Sequence, residues 1–152
     1  AQRTLERLQE FYEKLLIIKN LKGGPKINFQ NYKKRFIEAM DDDLNTPKAL
    51  AVLFDLVAID EPWARQERNP VWLLNKEEAR KTKNFLKNHL KILGINLKPM
   101  KIPQKIRALA SKRESRRTNK QFIRADALRK QINALGYKVE DTPAGPLVLR
   151  KS

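Results

Sequence analysis

The chain has 152 residues, with 33 Lys and Arg against 17 Asp and Glu, a formal charge of +16, 41% hydrophobic residues and no Cys. That apolar content supports a packed core and argues against general disorder, and the missing Cys excludes disulfides and thiolate zinc sites within the chain. No apolar run approaches the roughly 20 residues of a membrane span, so the charge excess points to a polyanion, with nucleic acid first.

The first residues, Ala1-Gln2-Arg3-Thr4-Leu5-Glu6, lack both a Met and the apolar region of a signal peptide. They sit inside a helical pattern, so the chain is expected to be a piece of a longer, cytoplasmic protein. Leu5, Leu8, Tyr12, Leu15 and Leu16 predict the apolar stripe of a first helix. Gly23-Gly24-Pro25 breaks it, without the Lys-Ser/Thr of a phosphate loop. Tyr32, Phe36, Ile37 and Met40 mark a second helix. After Asp41-Asp42-Asp43-Leu44-Asn45, Thr46 is the predicted N-cap and Pro47 the first residue of a third helix. Ala49, Leu50, Val52, Leu53, Phe54, Leu56 and Val57 make that helix apolar nearly all round, as suits the centre of a bundle, and it should stop before Pro62. The Asp triplet is read as a turn that satisfies backbone groups, in preference to a Mg²⁺ site.

The stretch from Glu61 to Leu74 reads as irregular, and its Trp63 and Trp72 either pack over the bundle end or present stacking faces. Asn75-Lys76-Glu77-Glu78 predicts a capping-box start for a helix carrying Ala79, Phe85, Leu86, Leu90 and Leu93, closed by Gly94. The lone His89 on that helix has no second His or Cys with which to hold a metal. A linker rich in Pro and Lys follows. A helix with Ile106, Leu109 and Ala110 comes next, and then one with Phe122, Ala125, Leu128, Ile132 and Leu135 ended by Gly136. Tyr137, Val139, Leu147 and Leu149 flank a turn at 141–145 and predict two short strands. Between Lys101 and Lys130, eleven Lys and Arg stand against Glu114 and Asp126 alone, a net +9. A folded basic helical module of that kind suits RNA.

Two segments in order resemble the C-terminal region of cysteinyl-tRNA synthetases. One is Phe36-Ile37-Glu38-Ala39-Met40-Asp41-Asp42-Asp43-Leu44-Asn45-Thr46-Pro47-Lys48-Ala49-Leu50 with Leu53-Phe54-Asp55-Leu56. The other runs through Arg113, Arg117, Lys120, Phe122, Ala125-Asp126, Arg129, Leu135-Gly136 and Glu140-Asp141-Thr142. The resemblance implies a mainly α fold. It has an anticodon-binding helical bundle of the class I synthetase type over residues 1–98, then a small, basic α+β anticodon-binding domain with a β-hairpin over 99–152. The chain departs from the family at Gln121, where Asp is common, and at Pro146-Leu147-Val148, where Thr and Trp are usual.

Carried over residue by residue, the resemblance implies that Arg117, Phe122, Asp126 and Asp141 meet anticodon bases. A carboxylate can accept from a base amino group, an Arg fork can read guanine, and Phe can stack on an unpaired base. Each position keeps a plainer reading: Phe122 is also at core spacing, Asp126 can pair with Lys130, and Asp141 can cap the turn. Arg107, Lys112, Arg113, Arg116, Lys120, Arg124 and Arg129 are the expected contacts to the RNA backbone.

No His-x-Gly-His-type signature, Lys-Met-Ser-Lys-type loop or zinc ligand set occurs in the chain. No catalytic centre, cofactor site or metal site is therefore expected here. The ATP and zinc of the family would belong to a catalytic domain of the same parent chain, which is then a partner beside tRNA(Cys). The rival readings are a freestanding structural RNA-binding protein and a basic protein-interaction bundle.

Overall fold

The computed structural model describes residues 2–60 and 70–152. They form two compact units, Ala1–Lys98 and Pro99–Ser152. The fold is mainly helical with one small hairpin, in the expected class.

In the first unit, α1 spans Gln2–Leu16, α2 Phe29–Asp41, α3 Thr46–Val57 and α4 Lys76–Ile92. Short 3₁₀ turns lie at Ala58–Asp60 and Pro70–Leu73. Helix α2 packs along α3 and α1 along α4, and α4 also touches α3. Leu8, Phe11, Leu53, Leu86 and Leu90 are fully buried at the centre. Each contributes about 1.5–3 kcal/mol by leaving water.

The stripe of α1 differs from the predicted one. Phe11 is in the core, whereas Leu5 and Leu16 are 47% and 39% exposed. Leu8, Phe11, Tyr12 and Leu15 fill a narrower arc than the residues chosen from spacing alone. On α2, Ile37 is likewise turned outward. The cap of α3 is Asn45, one residue before the predicted Thr46, because the Asn45 side chain accepts from the Lys48 backbone N–H at 3.1 Å. Before it, Asp43 and Leu44 take left-handed conformations with φ of 49° and 54°. The turn is closed by the Asn45 N–H donating to the Ala39 carbonyl at 3.1 Å. The Asp triplet thus sits in a helix-to-helix turn. Lys48 lies 3.9 Å from Asp42 at the turn, and Arg35 of α2 pairs with Asp55 of α3 farther along the two helices.

Helix α4 starts where expected. Asn75 accepts from the Glu78 N–H at 2.9 Å. Glu78 does not complete a capping box, however. It is buried, and its carboxylate accepts from the backbone N–H of Ile27 at 3.1 Å. The chain between α1 and α2 is fastened to the entry of α4 in the same way. The Asn20 side chain donates to the carbonyls of Trp72 and Leu74 at 2.8 and 3.1 Å, and its own carbonyl accepts from the Lys76 N–H at 2.7 Å. Trp72 is half-buried against the core. Trp63 lies outside the described residues. His89 stacks on Phe85 at 3.9 Å and meets Phe36 edge-on at 4.8 Å, with Nδ1 2.8 Å from the Phe85 carbonyl oxygen. It is an aromatic packing residue.

The second unit holds α5 (Gln104–Thr118), α6 (Phe122–Ala134), β1 (Tyr137–Thr142) and β2 (Gly145–Arg150). The helices pack on each other, and the strands pair antiparallel with Val139 opposite Val148 and Thr142 opposite Gly145. Ile106, Ala110, Ile132 and Val139 form the buried core. The tight turn is held by Thr142, whose hydroxyl donates to the Gly145 carbonyl at 2.5 Å and accepts from the Ala144 N–H at 3.2 Å. Asp141 is therefore not needed as a turn cap.

Candidate nucleic-acid interface

Two periodicities meet in the second unit. On α5, Ile106, Ala110, Arg113 and Arg117 follow one another at steps of three and four, so the two arginines extend the buried stripe. On β1, side chains alternate, so Asp141 shares a face with Val139, which packs into the same core. The carboxylate consequently arrives opposite the arginines.

Asp141 Oδ1 accepts from Arg113 Nη1 at 2.8 Å and from Arg117 Nη1 at 2.5 Å. Its Oδ2 accepts from Arg113 Nη2 at 3.0 Å and from Arg129 Nη2 of α6 at 3.1 Å. A carboxylate has about four lone-pair sites, and all of them face guanidinium. Arg113 holds it in a bidentate fork and is itself buried, with a side chain only 3% exposed. The fork holds the Asp141 carboxyl below its ordinary pKa against the opposing effect of burial, and raises that of Arg113. Arg117 also lies 3.5 Å from Glu114 and is about one-third exposed. Within ion-pair distance three guanidiniums therefore stand against two carboxylates, and the charge of Asp126 also acts on Arg113. The Nε groups of Arg113 and Arg129 are buried without a hydrogen-bond partner among the described residues.

The remaining predicted residues divide by exposure. Phe122 opens α6 and is 59% exposed, which excludes a core role. Asp126 is exposed and makes no ion pair with Lys130 among the described residues. Lys112, Lys120 and Arg124 project into solvent, as does Arg107, whose Nε donates to the Ile102 carbonyl at 3.3 Å. Arg116 is half-buried and donates to Gln121 Oε1 at 2.7 Å, so the departure at Gln121 puts a neutral acceptor beside that arginine. Lys120 sits at φ 57° in the turn after α5, where the Gln121 and Lys120 N–H groups close back on the carbonyls of Arg116 and Arg117.

Spacing alone does not single out Ile123. It is 88% exposed beside Phe122, so two large apolar side chains stand in solvent at the start of α6. The inward aim of Arg113 also departs from its expected place on the RNA backbone, although its i+3 step from Ala110 carries the signal. Among the described residues, no group of three or more His, Asp or Glu is placed to hold a metal ion, and no helix is long and apolar enough to cross a membrane.

Residues 35–98 match the DALR domain. Similarity to cysteine–tRNA ligases extends further along the chain. That of Caldicellulosiruptor saccharolyticus is 35% identical across 99% of this chain and 33% of its own length. That of Proteus mirabilis is 35% identical across 80% of this chain and 27% of its own length. That of Oenococcus oeni is 37% identical across 74% of this chain and 24% of its own length. The chain thus spans about one third of the length of the curated relatives it matches. With a DALR domain in its first unit and aligned relatives running on through its basic second unit, the chain is similar over nearly its whole length to about one third of a cysteine–tRNA ligase.

Proposed function

We propose that this chain is the C-terminal, tRNA-binding part of a cytoplasmic cysteine–tRNA ligase, and that it reads the anticodon of tRNA(Cys). The parent protein would join cysteine to that tRNA with ATP, through a catalytic domain that also carries the zinc. The observation that supports the reading best is the Asp141 cluster in a unit dominated by cations. A carboxylate and an arginine fork held side by side supply both an acceptor and donors for base edges.

The cluster also suggests how the reading proceeds. Arg113 is buried and bidentate, so it positions Asp141 and has no free face for a phosphate. Arg117 is the exchangeable partner, about one-third exposed and shared with Glu114. A base amino group takes over the Arg117 site on Asp141, and Arg117 turns its fork to a base acceptor. Phe122 stacks on an unpaired base, and Asp126 offers a second acceptor. Lys112, Lys120, Arg107, Arg116, Arg124 and Arg129 neutralise phosphates and supply affinity without sequence reading.

The test is binding to tRNA(Cys) and to the same tRNA with an altered anticodon, for the wild type and for Arg117→Ala. The wild type should prefer the native anticodon as salt rises. Arg117→Ala should lose about 1–3 kcal/mol of that preference if its contact is bidentate. Equal affinities of the wild type for both RNAs, falling together with salt, would leave only a basic surface and sink the reading.

A further inference from the structure

The helix α4, in the first unit, carries a row of cations that the anticodon reading does not use. Lys76, Arg80, Lys83, Lys87 and Lys91 follow at steps of four, three, four and four residues. This spacing keeps them on one face of the helix, about 4.5–6 Å apart along an axis of roughly 22 Å. Lys83 is half-buried and the other four are exposed. The neighbouring face, with Ala79, Thr82, Leu86 and Leu90, is buried in the bundle core and borders the row at Lys83.

Of the two acids of the helix, Glu77 feels the charge of Arg80 at the edge of this row. Lys81, which lies off the face, takes both of them, at 3.1 Å from Glu77 and 3.4 Å from Glu78. None of the five row cations is in an ion pair among the described residues. Like charges at these spacings repel each other, and Lys76 stands at the helix end where a cation is least welcome. Residues 1–98 hold 19 Lys and Arg against 13 Asp and Glu, a net +6. The row alone supplies five charges of that size. Exposed Asn84 and Asn88 flank it with amide donors. A linear row of cations free of ion pairs among the described residues, on a well-packed helix, is complementary to a linear row of phosphates.

We propose that this face of α4 is a second RNA-binding surface, which lies along a stretch of tRNA phosphate backbone remote in sequence from the base-reading residues. It holds the RNA through charge alone and reads no base. The proposal rests on the chain's being a tRNA binder, and it adds a separate contact on the bundle.

The experiment uses the 152-residue chain with Lys76, Arg80, Lys87 and Lys91 all changed to Gln. A matched control changes the exposed Lys19, Lys22, Lys33 and Lys34 to Gln. Gln keeps helix propensity, and relief of repulsion should leave the melting temperature equal or higher. Binding to tRNA(Cys) is measured against salt, with Arg117→Ala in parallel. The α4 variant should bind at least about tenfold more weakly at low salt, with a salt slope shallower by about 0.7 for each phosphate that the face no longer neutralises. Its preference for the native anticodon should be unchanged, and the control should bind like the wild type. Unchanged affinity and slope in the α4 variant, with anticodon preference still abolished by Arg117→Ala, would overturn the surface and leave the anticodon reading standing. Equal losses in the α4 variant and the control would reduce it to general surface charge and also overturn it. No preference in the wild type, with no response to either variant, would remove both readings.

Discussion

Arg113 and Asp141, 28 residues apart in sequence, hold each other through two nearly parallel hydrogen bonds of 2.8 and 3.0 Å. This pair ties the hairpin to α5 and fixes the carboxylate around which Arg117 and Arg129 gather. Removing the buried partner of such a pair leaves an uncompensated charge or an empty fork. Arg113→Ala should therefore cost the second unit about 2–4 kcal/mol, with the lower end favoured because Asp141 is partly exposed. Asp141 also sets an acid limit. Its folded pKa lies below the ordinary value of 3.8, so the stabilisation is fully present above that value. It is lost as pH falls through the folded pKa. Urea melts from neutral to strongly acidic pH should show a steeper acid loss for the wild type than for Asp141→Asn. Parallel curves would mean that the fork adds no pH-dependent stability.

Gly24 has φ +81°, and a Cβ built there would lie 1.9 Å from the Leu73 carbonyl oxygen. The obstacle is backbone, in the segment that Asn20 also fastens. Gly24→Ala should destabilise the first unit by about 2 kcal/mol or more, because both the left-handed backbone and the close approach exclude a side chain. Gly23 has φ +79° and open space around it. Gly23→Ala should then cost less, from backbone strain alone. Equal melting temperatures for the two variants would refute the close approach.

Lys120 holds a left-handed conformation without being glycine, at φ 57° in the turn between α5 and α6. The strain is about 1–2 kcal/mol, partly offset in a glycine by roughly 0.5–1 kcal/mol of extra chain entropy. Lys120→Gly should raise stability by up to about 1 kcal/mol. The same change removes a proposed phosphate contact, so tRNA affinity should fall while the fold is strengthened. Calorimetry and a salt titration on one sample would read the two effects apart. A loss of stability would show that the Lys120 stem packs usefully where it lies.

Much of this protein is decided by local sequence. Periodicity of 3.6 residues and the Gly and Pro breaks locate the helices, as at Asn75 and Gly94 around α4. The alternation after Gly136 locates the hairpin, and the cation excess between Lys101 and Lys130 marks the basic unit. These features are legible because each depends on residues within one or two turns of each other. What packs against each face is not legible. Leu5 and Phe11 are both strongly apolar, yet only the position of neighbouring helices buries Phe11 and leaves Leu5 in solvent. Asn45 and Thr46 are both good caps, and the turn that precedes them selects Asn45. Arg113 and Arg124 look alike in a basic stretch, but the hairpin brings Asp141 onto Arg113 and leaves Arg124 facing solvent. A helical period fixes which residues share a face; only contacts between elements distant in the chain decide which face is buried, which charge is neutralised and which is left for RNA.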